Sequence, residues 1–258
     1  MFDLARIQES GLVSQIDFQE SLGSTNDRAL EIGASGDLKL PLLVLAERQT
    51  AGRGRGANRW LTSDGALTFS LVLEATAERL PLRNRSQVAL VAGVAVAEAL
   101  ANYVPPHLVQ LKWPNDVFLG GSKVGGILSE SVPGWTDRFV VGIGINVNNR
   151  LCGSELSATA RSLVDHDGVE RDLTSVLVAV LDEFDRRWNE LLECGFGPSA
   201  GVYRAQCFLT GKVVSMAQHD GSQIVGQCRG IDDSGGLLLR TPNGEKSLIS
   251  GSVVAWED

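Results

Sequence analysis

"LKWPNDVFLGGSKVGGILSES", residues 111–131, carries the reading of the fold. Pro114 fixes the backbone directly after Trp113. From Val117 onward the run reads as strands joined in a hairpin, and its glycines call for bends or close backbone approaches. Asn115 and Asp116 place an amide and a carboxylate at a strand start, suited to a metal or to the edge of an adenine. Lys123 follows between glycines. That is an odd place for a charge that only solubilises the surface, although a lone hairpin lysine is ordinarily just solvated.

Working outward, "LVQLKW" (108–113) and "RFVVGIGINVNN" (138–149) read as further strands. Upstream, "QIDFQESL" (15–22), "PLLVLAERQ" (41–49) and "ALTFSLVLE" (66–74) do the same. "STNDRALEIGASG" (24–36) predicts a short helix, with Ser24 or Thr25 as N-cap and Gly33 or Gly36 as stop. Residues 84–103 predict a long, mostly buried apolar helix, and 173–193 an amphipathic one. Near residue 207 the composition changes to short β-rich runs broken by DG, DDSGG and PNGE turns. The expected organisation is one large domain over 1–206 and a small β-barrel over 207–258.

The 258 residues carry a formal net charge of −8, which argues against general attraction to nucleic acid or to an anionic membrane. Positive charge must therefore act locally. The window 48–59 holds Arg48, Arg53, Arg55 and Arg59 without an acidic residue, which suits a small anionic ligand. Cys152, Cys194, Cys207 and Cys228 form no CxxC pair and read as thiols of a reducing cytoplasm. The apolar run 88–100 is too short to span a bilayer and contains Glu98. His107, His166 and His219 lack ligand-like spacing, which argues against a catalytic zinc.

"AERQTAGRGRGANRW" (46–60) admits several readings. Residues 52–57 satisfy G-x-G-x-x-A after a strand, but "NRWLTSDGA" follows where a dinucleotide motif must open a helix. An arginine–glycine strip for nucleic acid comes in repeats, and here there is one copy. A loop without function is the plain alternative. The remaining reading is a loop that closes over phosphates, with glycine N–H groups and guanidiniums facing the anion and Trp60 offering a face to a base.

Taken together, "STN" (24–26), "AERQTAGRGRGANRW" (46–60), "LKWPND" (111–116), "KVGGILSE" (123–130) and "GIGINVN" (142–148) resemble, in order, the motifs of biotin protein ligases. The resemblance implies an α+β fold: a class II synthetase-like mixed sheet with helices mainly on one face, plus a C-terminal SH3-like barrel. It implies activation of biotin with ATP and Mg²⁺ to biotinyl-adenylate, then transfer to a lysine of a biotin carboxyl carrier protein domain. By the same resemblance Ser24, Thr25, Asn26, Gln49, Gly52, Arg53, Lys123, Gly126, Ile127, Gly142 and Ile143 fall on the biotin side. Trp113 is a candidate aromatic wall for that pocket. Arg53, Arg55, Trp60, Lys112, Asn115, Asp116, Lys123 and Asn146 fall on the nucleotide side, with Lys123 and Arg53 catalytic and Asp116 a candidate for the metal.

Departures from the family pattern are local. Asn58 stands where many bacterial members have an arginine, and Trp256 stands about where some have a phosphate-reaching arginine. Only about twenty residues precede Ser24, so the expectation is a ligase without an N-terminal DNA-binding domain and with no nucleic-acid or membrane partner. A monomer and a homodimer are both compatible with the resemblance. Lipoate ligation and non-catalytic biotin binding are the rival functions.

Overall fold

The computed structural model describes residues 2–151, 158–218 and 220–257; Cys152 and His219 lie outside the described residues. Two sheets organise the chain. The larger has seven strands, β1 (Gln15–Leu22), β2 (Leu42–Gln49), β3 (Ala66–Glu74), β4 (Val109–Lys112), β5 (Asp116–Leu119), β6 (Ser122–Ser131) and β7 (Arg138–Asn146), in the order β1-β2-β3-β7-β6-β5-β4. Among the described strands of this sheet only β1 and β2 pair in parallel, because helix α2 (Thr25–Gly33) makes the crossover between them. The other neighbours are joined antiparallel.

Strands β3 and β7 are buried almost throughout, so their residues divide between two cores by parity. Leu43, Leu45, Leu67, Phe69, Leu71, Val141, Ile143 and Ile145 face the main core. There they meet α3 (Ser86–Leu100) and α5 (Leu173–Cys194). Leu42, Val44, Val72 and Val140 face a smaller cluster with Ala29 of α2 and Val132. Three further helices, α1 (Leu4–Gln8), α4 (Leu163–Asp167) and α6 (Gly197–Ala205), are too short to show apolar periodicity and were not anticipated.

The second sheet is antiparallel: β8 (Val213–Ala217), β9 (Gln223–Ile231), β10 (Leu237–Thr241), β11 (Gly244–Leu248) and β12 (Ser252–Glu257), in the order β11-β10-β9-β8-β12. It is tied to the large sheet at its β4 edge. Leu111 N–H donates to Gln206 O (2.8 Å) and Phe208 N–H donates to Leu111 O (2.9 Å). Val214, Met216, Ile231, Leu237 and Leu239 join the main hydrophobic core, so the two sheets share one apolar interior.

Candidate active site

Even-numbered residues of β3, β6 and β7 form a floor of small groups on the face that carries α2. Register places Thr68 and Gly126 beside Gly144, and Ser70 and Leu128 beside Gly142. A Cβ at Gly142 would run into Asn26 Oδ1, and one at Gly144 into the indole of Trp60. Glycine is thus what lets the Asn26 amide and the Trp60 ring rest on the strands. Above this floor lies a cavity of about 620 Å³. Its walls come from the start of α2, the 53–60 loop, the KWPND turn, Lys123, and Ser252 and Val253 of β12.

One end is a cluster of neutral polar groups. Ser24 caps α2 by accepting from Asp27 N–H (3.4 Å). Gln49 Oε1 accepts from Thr25 N–H (2.6 Å) and from the Thr25 hydroxyl (3.0 Å). Ser70 Oγ lies 2.8 Å from Thr25 Oγ1 and 2.7 Å from Asn26 Oδ1, and Asn26 Nδ2 donates to Leu128 O (3.2 Å) and Glu130 Oε2 (2.9 Å). The buried Thr68 hydroxyl and the Trp60 indole N–H have no protein partner among the described residues. Both belong to residues that line the cavity.

The other end is cationic around one carboxylate. Lys123 Nζ lies 2.5 Å from Asp116 Oδ1, and Lys112 Nζ lies 3.4 Å from Asp116 Oδ2. Burial holds the Lys112 ammonium below its usual pKa, and nearby Asp116 opposes that fall. Trp60 stands between the ends, with Lys123 Nζ 5.8 Å from its ring centroid.

The loop that carries Trp60 is itself a small hairpin. Gly54 N–H donates to Asn58 O (2.9 Å), Trp60 N–H donates to Gly52 O (3.0 Å), and Gly56 turns the chain at φ +65°. Strand β3, not a helix, follows the loop, so the dinucleotide-motif reading fails. Arg55 Nη1 donates to Gly251 O (2.6 Å), tying the hairpin to the second sheet.

Several anticipated residues sit differently from expectation. Arg53 lines the cavity, but its guanidinium is already paired with carboxylates. Its guanidinium pairs with both oxygens of Glu130 (3.0 and 2.5 Å) and lies 2.7 Å from Asp27 Oδ1. The Glu130 hydrogen bonds raise the Arg53 pKa further. Gly52 is not part of the cavity wall; a Cβ there would stand 2.5 Å from Trp60 O, so it serves the hairpin's closure. Asn146 is buried beyond the cavity, where its Oδ1 accepts from Asn149 Nδ2 (3.0 Å). Asn115 lines the cavity but its amide donates to Ile127 O (2.7 Å), which braces the turn against β6.

Trp113 is corrected outright. It is buried off the wall of the large cavity, lines an adjoining 280 Å³ cavity, and its indole N–H donates to Gly235 O in the β9–β10 turn (3.0 Å). The remaining anticipated residues, Ser24, Thr25, Asn26, Gln49, Arg55, Trp60, Lys112, Asp116, Lys123, Gly126, Ile127, Gly142 and Ile143, all line the large cavity. Glu130, Ser70, Thr68, Ser252 and Val253 were missed. Glu130 closes the quoted "KVGGILSE" motif and was legible there; the others arrive by strand register or from the second sheet.

Residues 18–148 match the Biotin/lipoate A/B protein ligase family, and residues 210–256 match the Biotin protein ligase C terminal domain. The chain belongs to the biotin/lipoate A/B protein ligase family. Within it, the resemblance is to biotin ligases. The biotin–[acetyl-CoA-carboxylase] ligase of Mycobacterium tuberculosis is 32% identical over 246 residues, spanning 93% of this chain and 88% of that protein. That of Paracoccus denitrificans is 34% identical over 240 residues, spanning 89% and 96%. The structure of biotin protein ligase from Aquifex aeolicus in complex with biotin and ATP matches with a TM-score of 0.81 at 32% identity, over 92% of this chain and 97% of that one.

Proposed function

We propose that this enzyme joins biotin to ATP to make biotinyl-adenylate and passes the biotinyl group to a lysine of a carrier-protein domain of a carboxylase. The observation that supports it most is the two-ended cavity, with a neutral hydrogen-bonding cluster at Thr25, Gln49 and Ser70 and a lysine-bearing end at Lys123 and Lys112. A ureido head needs donors and acceptors in a dry pocket, and a carboxylate meeting a phosphate needs cations.

In this reading a biotin carboxylate oxygen attacks the α-phosphorus, the bond from that phosphorus to the bridging oxygen breaks, and pyrophosphate leaves. The carrier amine then attacks the acyl carbon, the bond to the phosphate oxygen breaks, and AMP leaves as the amine sheds a proton. Lys123 screens the two anions in the first step and exchanges its contact with Asp116 for the ligand. Trp60 stacks on the base. Arg53 reaches phosphate only by releasing Glu130 and Asp27. The 50–60 loop is the lid that keeps water from the adenylate.

Among the described residues Asp116 is the single carboxylate on the cavity wall, and both its oxygens face lysines. Among the described residues no three metal-ligating side chains cluster. These residues do not fit a resident Mg²⁺, so magnesium is assigned to the substrate as MgATP. We also infer the division into a ligase domain over 1–206 and an SH3-like domain over 207–258, and a cytoplasmic location, in keeping with the free thiols of Cys194, Cys207 and Cys228. Among the described residues no helix is long and apolar enough to cross a membrane.

The test is pyrophosphate exchange into ATP with biotin, lipoate and octanoate in parallel. Exchange with biotin alone is expected. Exchange with lipoate would move the substrate to the other branch of the family, and none with any acid would leave a binding protein.

A further inference from the structure

Lys112 stands in an aromatic cage assembled from three parts of the chain. Its Nζ lies 4.9 Å from the ring centroid of Trp256 on β12 and 5.6 Å from that of Phe118 on β5. Phe208, on the segment joining the sheets, packs 4.8 Å from Phe118 and 5.8 Å from Trp256, centroid to centroid. The carboxylate of Asp116 completes the cage on the cavity side, with Lys123 beyond it. Lys112 is buried, and a buried ammonium is disfavoured unless something replaces its water. An aromatic face does that, and it also fixes the direction of a long, flexible stem.

The same strand reaches the cavity twice more. Ser252 and Val253 line it, and Gly251 O, one residue before the strand, accepts from Arg55. The path of β12 therefore sets the wall and the cage together.

We propose that Trp256 is a positioning residue for the nucleotide: its indole face, delivered by the second sheet, clamps the Lys112 ammonium toward the ATP end of the cavity. The clamp rests on the reading that this cavity binds ATP. It gives the second sheet a part in nucleotide binding through an aromatic ring acting on a lysine of the large sheet. A ring that merely sealed the junction would act on both ligands alike.

The experiment titrates the full chain calorimetrically with MgATP and, separately, with biotin. The proteins are wild type, Trp256→Leu, Trp256→Phe, Lys112→Met and the Lys112→Met/Trp256→Leu double variant. Trp256→Leu is expected to bind ATP about tenfold more weakly, the scale of one desolvated cation–π contact, and biotin within about twofold of wild type. Trp256→Phe should return to within about threefold for ATP. The double variant should bind ATP no more weakly than Lys112→Met alone, because the ring acts through that lysine. Unchanged ATP affinity in Trp256→Leu, equal weakening for both ligands, or additive losses in the double variant would overturn the clamp, as would a wild type that binds no ATP. A wild type that binds ATP but shows no biotin-dependent exchange would remove the ligase reading instead, with the clamp still decided by the ATP affinities.

Discussion

At the scale of single residues the site is a balance of charges held close together. Lys123 has a third of its side chain open to solvent, with Asp116 as its resting partner. One preorganised cation of this kind contributes roughly 3–4 kcal/mol to a phosphoryl transition state, so Lys123→Ala should slow adenylate formation on the order of a hundredfold or more. Single-turnover formation of biotinyl-adenylate measures this, and a near-normal rate would remove Lys123 from the chemistry. Gly144 offers a complementary test on the base. A methyl there would run into the Trp60 ring, so Gly144→Ala should expel the indole from its seat. Loss of one aromatic stacking partner weakens nucleotide binding roughly ten- to a hundredfold. Biotin affinity, which the proposed function assigns to the Thr25–Gln49 end, should fall less, and equal losses measured by titration would place Trp60 elsewhere in the site.

At the scale of elements, the hairpin loop 52–60 and helix α5 show what a sequence can and cannot declare. The loop's glycines and arginines read as a backbone that closes over an anion; what forms is a hairpin turned at Gly56. Arg55, however, is anchored to Gly251 O, some 196 positions away in the chain. Arg55→Gly should untie the lid from the second sheet and leave adenylate synthesis intact while the adenylate escapes. The readout is labelling of lysines on bystander proteins, and no excess over wild type would count against the lid. Strands β1 to β7 were legible because their apolar runs and glycines are local signals. The partners of Arg53 were not: Glu130 and Asp27 reach it only after β6 and α2 have packed, and no spacing in the sequence encodes that distance. Trp113 misled for the same reason, since its neighbour Gly235 lies in the turn between β9 and β10. Asn146 continues the face of Gly142 and Gly144 but runs past the end of the cavity.

Helix α5 is capped at its N-terminus by Asp172. Asp172 accepts from Ser175 N–H (2.9 Å), and hydrogen bonding from Ser175 lowers its pKa from the ordinary 3.8. Asp172→Ala should cost about 1 kcal/mol, a fall in Tm of roughly 2–4 °C for a chain of this size. The sign of the pH effect follows from the depressed pKa. The stabilisation is present above 3.8 and is lost as pH falls through the folded-state value, so wild type and variant should converge in acid. Thermal melts at neutral and acid pH measure both; a gap that persists in acid would mean the cap acts without its charge.

At the scale of the whole molecule the question is whether the two sheets behave as one unit. The turn at 232–236 is held against the helices and strands of the large sheet at several points. Gly235 O accepts from the Trp113 indole, Ser234 O accepts from Gln87 Nε2 (3.2 Å), and Arg204 binds Ile231 O (2.7 Å) and Asp233 (2.6 Å). Gly235 has φ +86°, and a Cβ there would stand 2.6 Å from Leu90 Cδ1 of α3. Gly235→Val therefore combines a left-handed backbone with a side chain that has no room. The two effects together cost roughly 2–4 kcal/mol, or about 5–15 °C in Tm. Calorimetry should find a single transition in the wild type, because the sheets share one core, and an earlier, separable transition of the second sheet in the variant. If that sheet also sets the ATP end, through Val253 on the cavity wall and the tether to Arg55, ATP binding should weaken in the variant while biotin binding holds. A variant that melts in one step at the wild-type temperature would show that the turn is a passive contact, and that the lid and the nucleotide end draw their order from the large sheet alone.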